Sequence, residues 1–420
     1  MNGDRPRWTD LAVVFALALA LRLGFALTLP ADDSIFWDQP YRIYAQNYAA
    51  GRGFWMPNPY DDPSLGFDRA YAFRPPLFPF LWGCAYNATA GAYAPVRICF
   101  AILGAATCAL AYLLAIELIR RRSVALIGGL FCALYPPLIW HSVHLMTEPM
   151  FIFLSLAAVY ALSRLAATGA WRWVVVGGVV AGLATLTRSV MAGFLPFLAF
   201  WVWWVAGRGR RAWAMAALFT GAVTLVMLPW IVRNATVFHA FVPTTTDAGH
   251  GFYVANNSRS LADPRGFFIP TDWSFVKASP DEKLDELEMN RRLVRSAREY
   301  LWTHPAEAAQ LMTRRFVTLW RFYPNPEFVS RAHVLIYALC YVPLFPLILL
   351  GLWRLHRDAG PALPAVLLAD ALILYTTAVH TVILAMLRYR EPLMPILLPC
   401  AALGLLTLWE KLRQKTPAST

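Results

Sequence analysis

The run LAVVFALALALRLGFALTL at residues 11–29 decides the solvent in which this chain folds. About 20 consecutive apolar residues make a helix as long as the hydrocarbon core of a bilayer is thick. The stretch after it, ADDSIFWDQPYRIYAQNYAAGRGFWMPNPYDDPSLGFDRAYAFRPP at 31–76, crowds acids, aromatics, glycines and prolines together before hydrophobicity resumes. A connector between two spans needs none of that chemistry. The loop therefore reads as the first half of an active site at a membrane surface.

The rest of the chain agrees. Of 420 residues, 58% are hydrophobic and 15% charged, and the mean hydropathy is +0.48; soluble domains carry about 25% charged residues. Apolar runs of spanning length recur near 11–29, 95–119, 124–140, 148–166, 172–187, 189–206, 212–232, 333–353, 361–384 and 391–411. The stretch 77–90 is apolar but too short to span, and reads as an interfacial or re-entrant helix. The fold class that follows is an all-α polytopic membrane protein of about ten transmembrane helices. Interfacial helices are expected in the first outer loop, and a small mixed subdomain on the outer face. The divisions are 1–232, a transmembrane module holding the first outer loop 30–94; 233–332, the outer-face loop subdomain; and 333–420, C-terminal transmembrane helices and a cytoplasmic tail. No internal repeat is visible. The first apolar run lacks a small-residue cleavage site and is expected to stay as an anchor.

The net charge of +12 sits in short clusters between apolar runs, so it sets topology and gives no reason to expect nucleic acid. Arg120-Arg121-Arg122, Arg164 with Arg172, Arg208/Arg210/Arg211, Arg354/His356/Arg357 and Lys411/Arg413/Lys415 fall on one side if the spans alternate. That side reads as the cytoplasm of a bacterial inner membrane, with both termini there. The opening loop, His141–Glu148, Thr187-Arg188, 233–331 and Leu387–Glu391 then share the outer face, as a composite site requires. Cys84, Cys99, Cys108, Cys132, Cys340 and Cys400 are scattered through apolar runs with no CxxC or Cys/His cluster, and read as small buried hydrophobes.

Within 31–76, Trp37, Tyr41, Tyr44 and Tyr48 share one helical face and read as an interfacial anchor. Asp38 reads either as a reactive acid or as an N-cap ahead of Pro40 with Arg42 as its partner. Glu148, at a hydrocarbon boundary, needs pairing, a metal or water; dipole compensation ahead of Pro149 is its plain alternative. His141, His144 and Glu148 share a face if the segment is helical, though the spacing matches no zinc pattern. Arg74, Arg188, Arg233, Arg388 and Arg390 lie at outer span boundaries, where short loops carry few cations. Arginine there can clamp a phosphate with two parallel hydrogen bonds or simply pair with local acids. In the loop subdomain, NATVFHAFVPTTTDAGHGFYVANNSRS suggests short strands or ordered loops. Leu287, Val294, Ala297 and Leu301 predict a helix, and a second follows the break at His304-Pro305.

These residues, in order, resemble a family. Asp38, Tyr41, Tyr44, Ala45, Gly51, Gly53 and Phe54 open the pattern, followed by FRPPLFPFLWGCAY from Phe73 and Val96-Arg97. MTEP at Met146–Pro149, GLATLTR ending at Arg188, LPWIVRN at Leu228–Asn234 and VANN at Val254–Asn257 follow, and HTVILAMLRYREPLMP at His380–Pro395 closes it. The set is similar to the C-type (GT-C) glycosyltransferases, in the branch of aminoarabinose lipid A transferase and the protein O-mannosyltransferases. The resemblance implies a sugar moved from a polyprenyl-phosphate donor to a hydroxyl or phosphate of a lipid, glycan or protein acceptor, with inversion. It puts the catalytic acids at Asp38 and Glu148 and the lipid phosphate on Arg74, with Arg388 a second clamp and Arg188 and Arg233 further candidates. Many relatives carry Asp-Glu where this chain has Asp38-Gln39, with Asp33 as an alternative acid. A divalent metal ion on Asp38 and Glu148 stays open as a cofactor. No nucleotide cofactor is expected, since the chain has no Gly-rich phosphate loop. A transporter or flippase of lipid-linked sugars is the alternative, and would place its polar residues near the midplane, often in repeated halves.

Overall fold

The computed structural model describes residues 5–30, 39–326 and 329–415. In chain order the helices are α1 (Trp8–Thr28), α2 (Gln39–Ala49), α3 (Leu77–Tyr86), α4 (Tyr93–Ile119), α5 (Arg122–Leu134), α6 (Pro136–His141), α7 (Glu148–Thr168) and α8 (Trp171–Thr187). Then come α9 (Leu195–Val205), α10 (Gly209–Phe238), α11 (Ala248–Ala255), α12 (Glu286–Thr303), α13 (Pro305–Trp320), α14 (Arg331–Arg357), α15 (Leu363–Val382) and α16 (Met394–Lys415). Among the described residues the sheet content is one two-residue ribbon, Met56–Pro57 antiparallel to Arg69–Ala70.

The protein is a multi-pass membrane protein. Seven described segments are long and apolar enough to cross a bilayer: α1, α4, α7, α10, α14, Gly360–Val382 and Leu387–Gln414. The three other expected spans are shorter apolar pieces. Pro136 and Pro137 break the run at 124–140 after Leu134. The run at 172–187 ends at Arg188 in extended backbone, and the next begins as a tight 3₁₀ turn, Ser189–Phe194, before α9. The stretch at 77–90 is the short helix α3, as read.

The bundle packs closely where side chains are small. A Cβ at Gly351 would run into the Cys400 carbonyl, and one at Gly404 into the Leu347 carbonyl, so α14 and α16 meet backbone to backbone. Arg22, fully buried within α1, has no acid to pair with among the described residues and spends its guanidinium on neutral acceptors. It reaches Ser142 Oγ at 3.1 Å, the Ala18 carbonyl at 3.1 Å and the Ala133 carbonyl at 3.3 Å. This ties α1 to the turn that leads into α7.

Topology sorts the ends. α7 begins at Glu148 and the antiparallel α8 ends at Thr187, so both meet at one end, with the end of α10, the end of α15 and the turn Leu387–Leu393. The basic clusters lie at the other end and find acids there: Arg122 pairs with Asp10 at 2.6 Å, Arg164 with Glu117 at 2.6 Å and Arg121 with Glu410 at 2.8 Å.

Three expectations change. The segment after α10 is helical and looped, with α11, α12 and α13 and no strand among its described residues, so the subdomain is not mixed. Its turn formers are absorbed by side-chain hydrogen bonds, such as Asn234 Nδ2 to the Val242 carbonyl at 2.9 Å. Tyr44 is not an interfacial anchor. It is fully buried, its ring stacked on Phe54 at 4.6 Å, because the loop after α2 folds back over it; Trp37 lies outside the described residues. Cys84 and Cys99 are exposed on helix surfaces, while Cys108, Cys132 and Cys400 are buried as read; in a bilayer an apolar residue needs no core.

Gly351→Val is expected to destabilise the detergent-extracted protein by more than the about 1–3 kcal/mol of ordinary core overpacking. Gly221→Val, where the added side chain meets open space, should leave the melting point unchanged in a fluorescence-detected size-exclusion melt.

Candidate active site

Glu148 starts α7 facing the bundle and is 2% exposed. Its Oε1 accepts from Arg188 Nη1 at 3.0 Å and faces Arg388 Nε at 3.5 Å. Arg188 arrives because α8 ends there, and Arg388 because Leu387–Leu393 is a 3₁₀ turn between α15 and α16. Tyr389 is the hub. The Arg188 guanidinium lies over its ring at 4.8 Å and that of Arg388 at 5.4 Å, and His380 stacks on it at 4.4 Å. Arg74 lies in the electrostatic reach of both Tyr389 and Tyr41, the two phenols that also face Arg388. Beside Arg188 and Tyr389, a recess is walled by Phe151, Leu372 and Tyr375.

Arg74 pairs with Asp247 Oδ2 at 3.0 Å, whose other oxygen accepts from Thr245 Oγ1 at 2.6 Å. Arg74 Nε is buried with no partner among the described residues. Sequence reasoning missed Asp247. It lies at the start of α11 in a Thr-Thr-Thr-Asp run that reads as an ordinary helix start.

Arg233 stands apart from the cluster. Its guanidinium donates to the Tyr71 carbonyl at 2.9 Å, the Phe54 carbonyl at 2.8 Å and Asn234 Oδ1 at 2.9 Å. Arg390 is turned to the opposite side of its turn, stacked on Tyr341 at 3.8 Å and donating to the Arg321 carbonyl at 3.0 Å. The VANN asparagines are a joint: Arg315 reaches Asn256 Oδ1 at 2.7 Å and the Val382 carbonyl at 2.6 Å, fastening α11 and α13 to the end of α15. Asp38 and its alternative Asp33 lie outside the described residues.

The metal reading gains no geometry. α6 ends at His141, so His141, His144 and Glu148 are not on one continuous helix, and His144 Nδ1 is turned to the Trp140 carbonyl at 2.7 Å. No three His, Cys, Asp or Glu converge among the described residues, and Glu148 is engaged by two guanidinium groups.

The fold is that of the C-type glycosyltransferases. It matches the archaeal oligosaccharyltransferase AglB from Archaeoglobus fulgidus, solved with an inhibitory peptide and a dolichol-phosphate, at a TM-score of 0.53 and 15% identity, over 98% of this chain and 52% of that one. A second structure of the A. fulgidus oligosaccharyltransferase, tethered to an acceptor peptide, matches at 0.52 and 15%, over 97% and 50%. The chain thus spans about half the length of these structures. ArnT from Cupriavidus metallidurans, bound to undecaprenyl phosphate, aligns at 0.46 and 15%, over 99% and 82%. In sequence, the family model described as dolichyl-phosphate-mannose-protein mannosyltransferase matches residues 65–243. No curated protein sequence matches the chain.

Removing the carboxylate in Glu148→Ala leaves two guanidinium groups facing each other, and should cost about 3–5 kcal/mol in a melting assay. His250, packed among Tyr60, Phe73 and Trp273, has its pKa pushed by burial, and secondarily by the Arg74 charge, from 6.5 to about 3. Between those values the unfolded state binds the extra proton. Stability is therefore complete above pH 6.5 and falls as pH drops. By pH 5 the loss approaches about 2 kcal/mol, read as faster hydrogen exchange in α11 and abolished by His250→Phe.

Proposed function

We propose that the chain is an integral-membrane glycosyltransferase that moves a sugar from a polyprenyl-phosphate donor to an acceptor hydroxyl on a lipid, glycan or protein. It works at the outer face of a bacterial inner membrane, with both termini in the cytoplasm. The observation that carries this reading is the convergence of Arg188 and Arg388 on Tyr389 and Glu148, with Arg74 in electrostatic reach of Tyr389, at the bundle end opposite the basic clusters. Guanidinium forks match phosphate geometry. The match to the mannosyltransferase family model and the fold shared with an enzyme solved with dolichol-phosphate support the same reading.

In the proposed reaction the acceptor O–H gives its proton to Asp38 as its oxygen attacks the anomeric carbon. A carbon–oxygen bond forms on one face while the bond to the phosphate oxygen breaks on the other, inverting the centre. The electron pair leaves with polyprenyl phosphate, whose charge Arg74 and Arg388 stabilise. Glu148 acts as the acid that holds Arg188 and Arg388 in place, since a carboxylate between two guanidinium groups is a poor proton acceptor. Arg233, with its donors on backbone carbonyls, belongs to the frame. Polar residues gathered at one end, without a repeat, favour an enzyme over a transporter or flippase.

Purified protein given lipid-linked sugars and an envelope extract should release free polyprenyl phosphate only when acceptor is present, as read by mass spectrometry. A folded protein that releases none across the donor classes overturns the reading. Asp38→Asn should lower turnover about 10²–10⁴-fold without disturbing folding. Arg74→Ala should raise the donor KM about 10–100-fold, matching a charge-assisted hydrogen bond of about 1.5–3 kcal/mol; an effect on acceptor KM alone would displace Arg74 from the phosphate.

A further inference from the structure

The four residues before Arg74 are held in a cradle of side chains. The Tyr44 hydroxyl donates to the Ala70 carbonyl at 3.0 Å and accepts from the Phe73 N–H at 3.1 Å. The Tyr71 carbonyl accepts from Arg233, and the Ala72 carbonyl from the Thr246 N–H at 2.9 Å. Two further backbone donors, Tyr71 N–H at 2.6 Å and Ala72 N–H at 3.1 Å, go to the two oxygens of Glu286. Oε1 of Glu286 also accepts the Thr246 hydroxyl. Glu286 is 4% exposed and lies in the first turn of α12, more than two hundred residues along the chain from Tyr71. Buried carboxylates are rarely placed without such partners.

The carboxylate thereby touches both sides of an ion pair. On one side it fixes the backbone leading into Arg74, after which Pro75 and Pro76 leave little freedom. On the other it fixes Thr246, the neighbour of Asp247, which receives the Arg74 guanidinium. A shift of either segment would pull the Arg74–Asp247 pair apart and move the guanidinium. The neighbouring acids do not share this arrangement: Asp285, just before α12, caps the Glu288 N–H, and Glu288 is salt-bridged to Arg292 at 2.9 Å near the surface.

We propose that Glu286 is a positioning residue for the phosphate-holding Arg74, acting from the loop subdomain on a site built by the first loop and the bundle. The inference rests on the reading of Arg74 as a lipid-phosphate holder. It makes the loop subdomain part of donor recognition: α12 holds the donor clamp in register, so its displacement would loosen the donor.

The test is a double-mutant cycle on polyprenyl-phosphate binding by the full-length protein in detergent, read by tryptophan fluorescence. Glu286→Gln can offer only one carbonyl oxygen to the two N–H groups, and should weaken binding about tenfold, the size of one charge-assisted hydrogen bond. Glu288→Gln should change nothing. In the Arg74→Ala background, Glu286→Gln should have no further effect, because its influence passes through Arg74. Independent, multiplying effects, or unchanged binding in folded Glu286→Gln, would overturn the inference. If Glu286→Gln does not fold, Tyr44→Phe loosens the same cradle while keeping the ring packed, and must weaken binding in the same direction for the proposal to stand. Absence of binding by the unaltered protein would overturn the functional reading and this inference together, whereas binding that needs Arg74 but not Glu286 would overturn this inference alone.

Discussion

A carboxylate buried at the edge of a hydrocarbon layer survives only if something replaces the water it gives up, and here that is the pair of guanidinium groups on Glu148. The three residues come from the start of α7, the end of α8 and the turn between α15 and α16. Satisfying one charge therefore fixes the relative placement of three segments far apart in sequence. The same physics recurs with arginines that form no salt bridge among the described residues. Arg22, Arg315 and Arg390 each reach backbone carbonyls at helix ends or breaks, where the helix has none of its own donors left to offer.

This use of arginine explains how the chain accommodates so many cations. At one end of the bundle they pair with acids near the surface. At the other, Arg188 and Arg388 converge on Tyr389, where an aromatic face tolerates stacked guanidinium planes at close range. The division between framing and site arginines is a matter of what each meets. Arg233 meets three oxygen acceptors in the loops, whereas Arg74 meets a partly exposed aspartate that an incoming phosphate can rival.

Much of the fold was legible because the bilayer imposes a length and a composition on every span. The seven long spans fall where the apolar runs lie, and the helices after Glu286 and Pro305 follow their periodicity. What misled were signals with two readings. An aromatic stripe on α2 looks the same whether it faces headgroups or a folded loop, so Tyr44 read as an anchor and proved to be core. Arg233 and Arg188 occupy equivalent span ends, and nothing local shows that one meets carbonyls and the other a carboxylate. Asp247 and Glu286 gave no usable signal, since acids at helix starts are common for reasons of dipole and capping alone.

By itself, then, the sequence determined that the chain lives in a membrane, where its seven long spans run, and which segments are gathered at the same end, because these depend on hydrophobicity summed along the chain. Only the tertiary structure decided which polar residues meet. Burying a charge makes its cost depend on partners supplied by other segments, and those partnerships, Glu148 with Arg188 and Arg388, Arg74 with Asp247 and Glu286 with the backbone before Arg74, exist only once the bundle and its loops have closed.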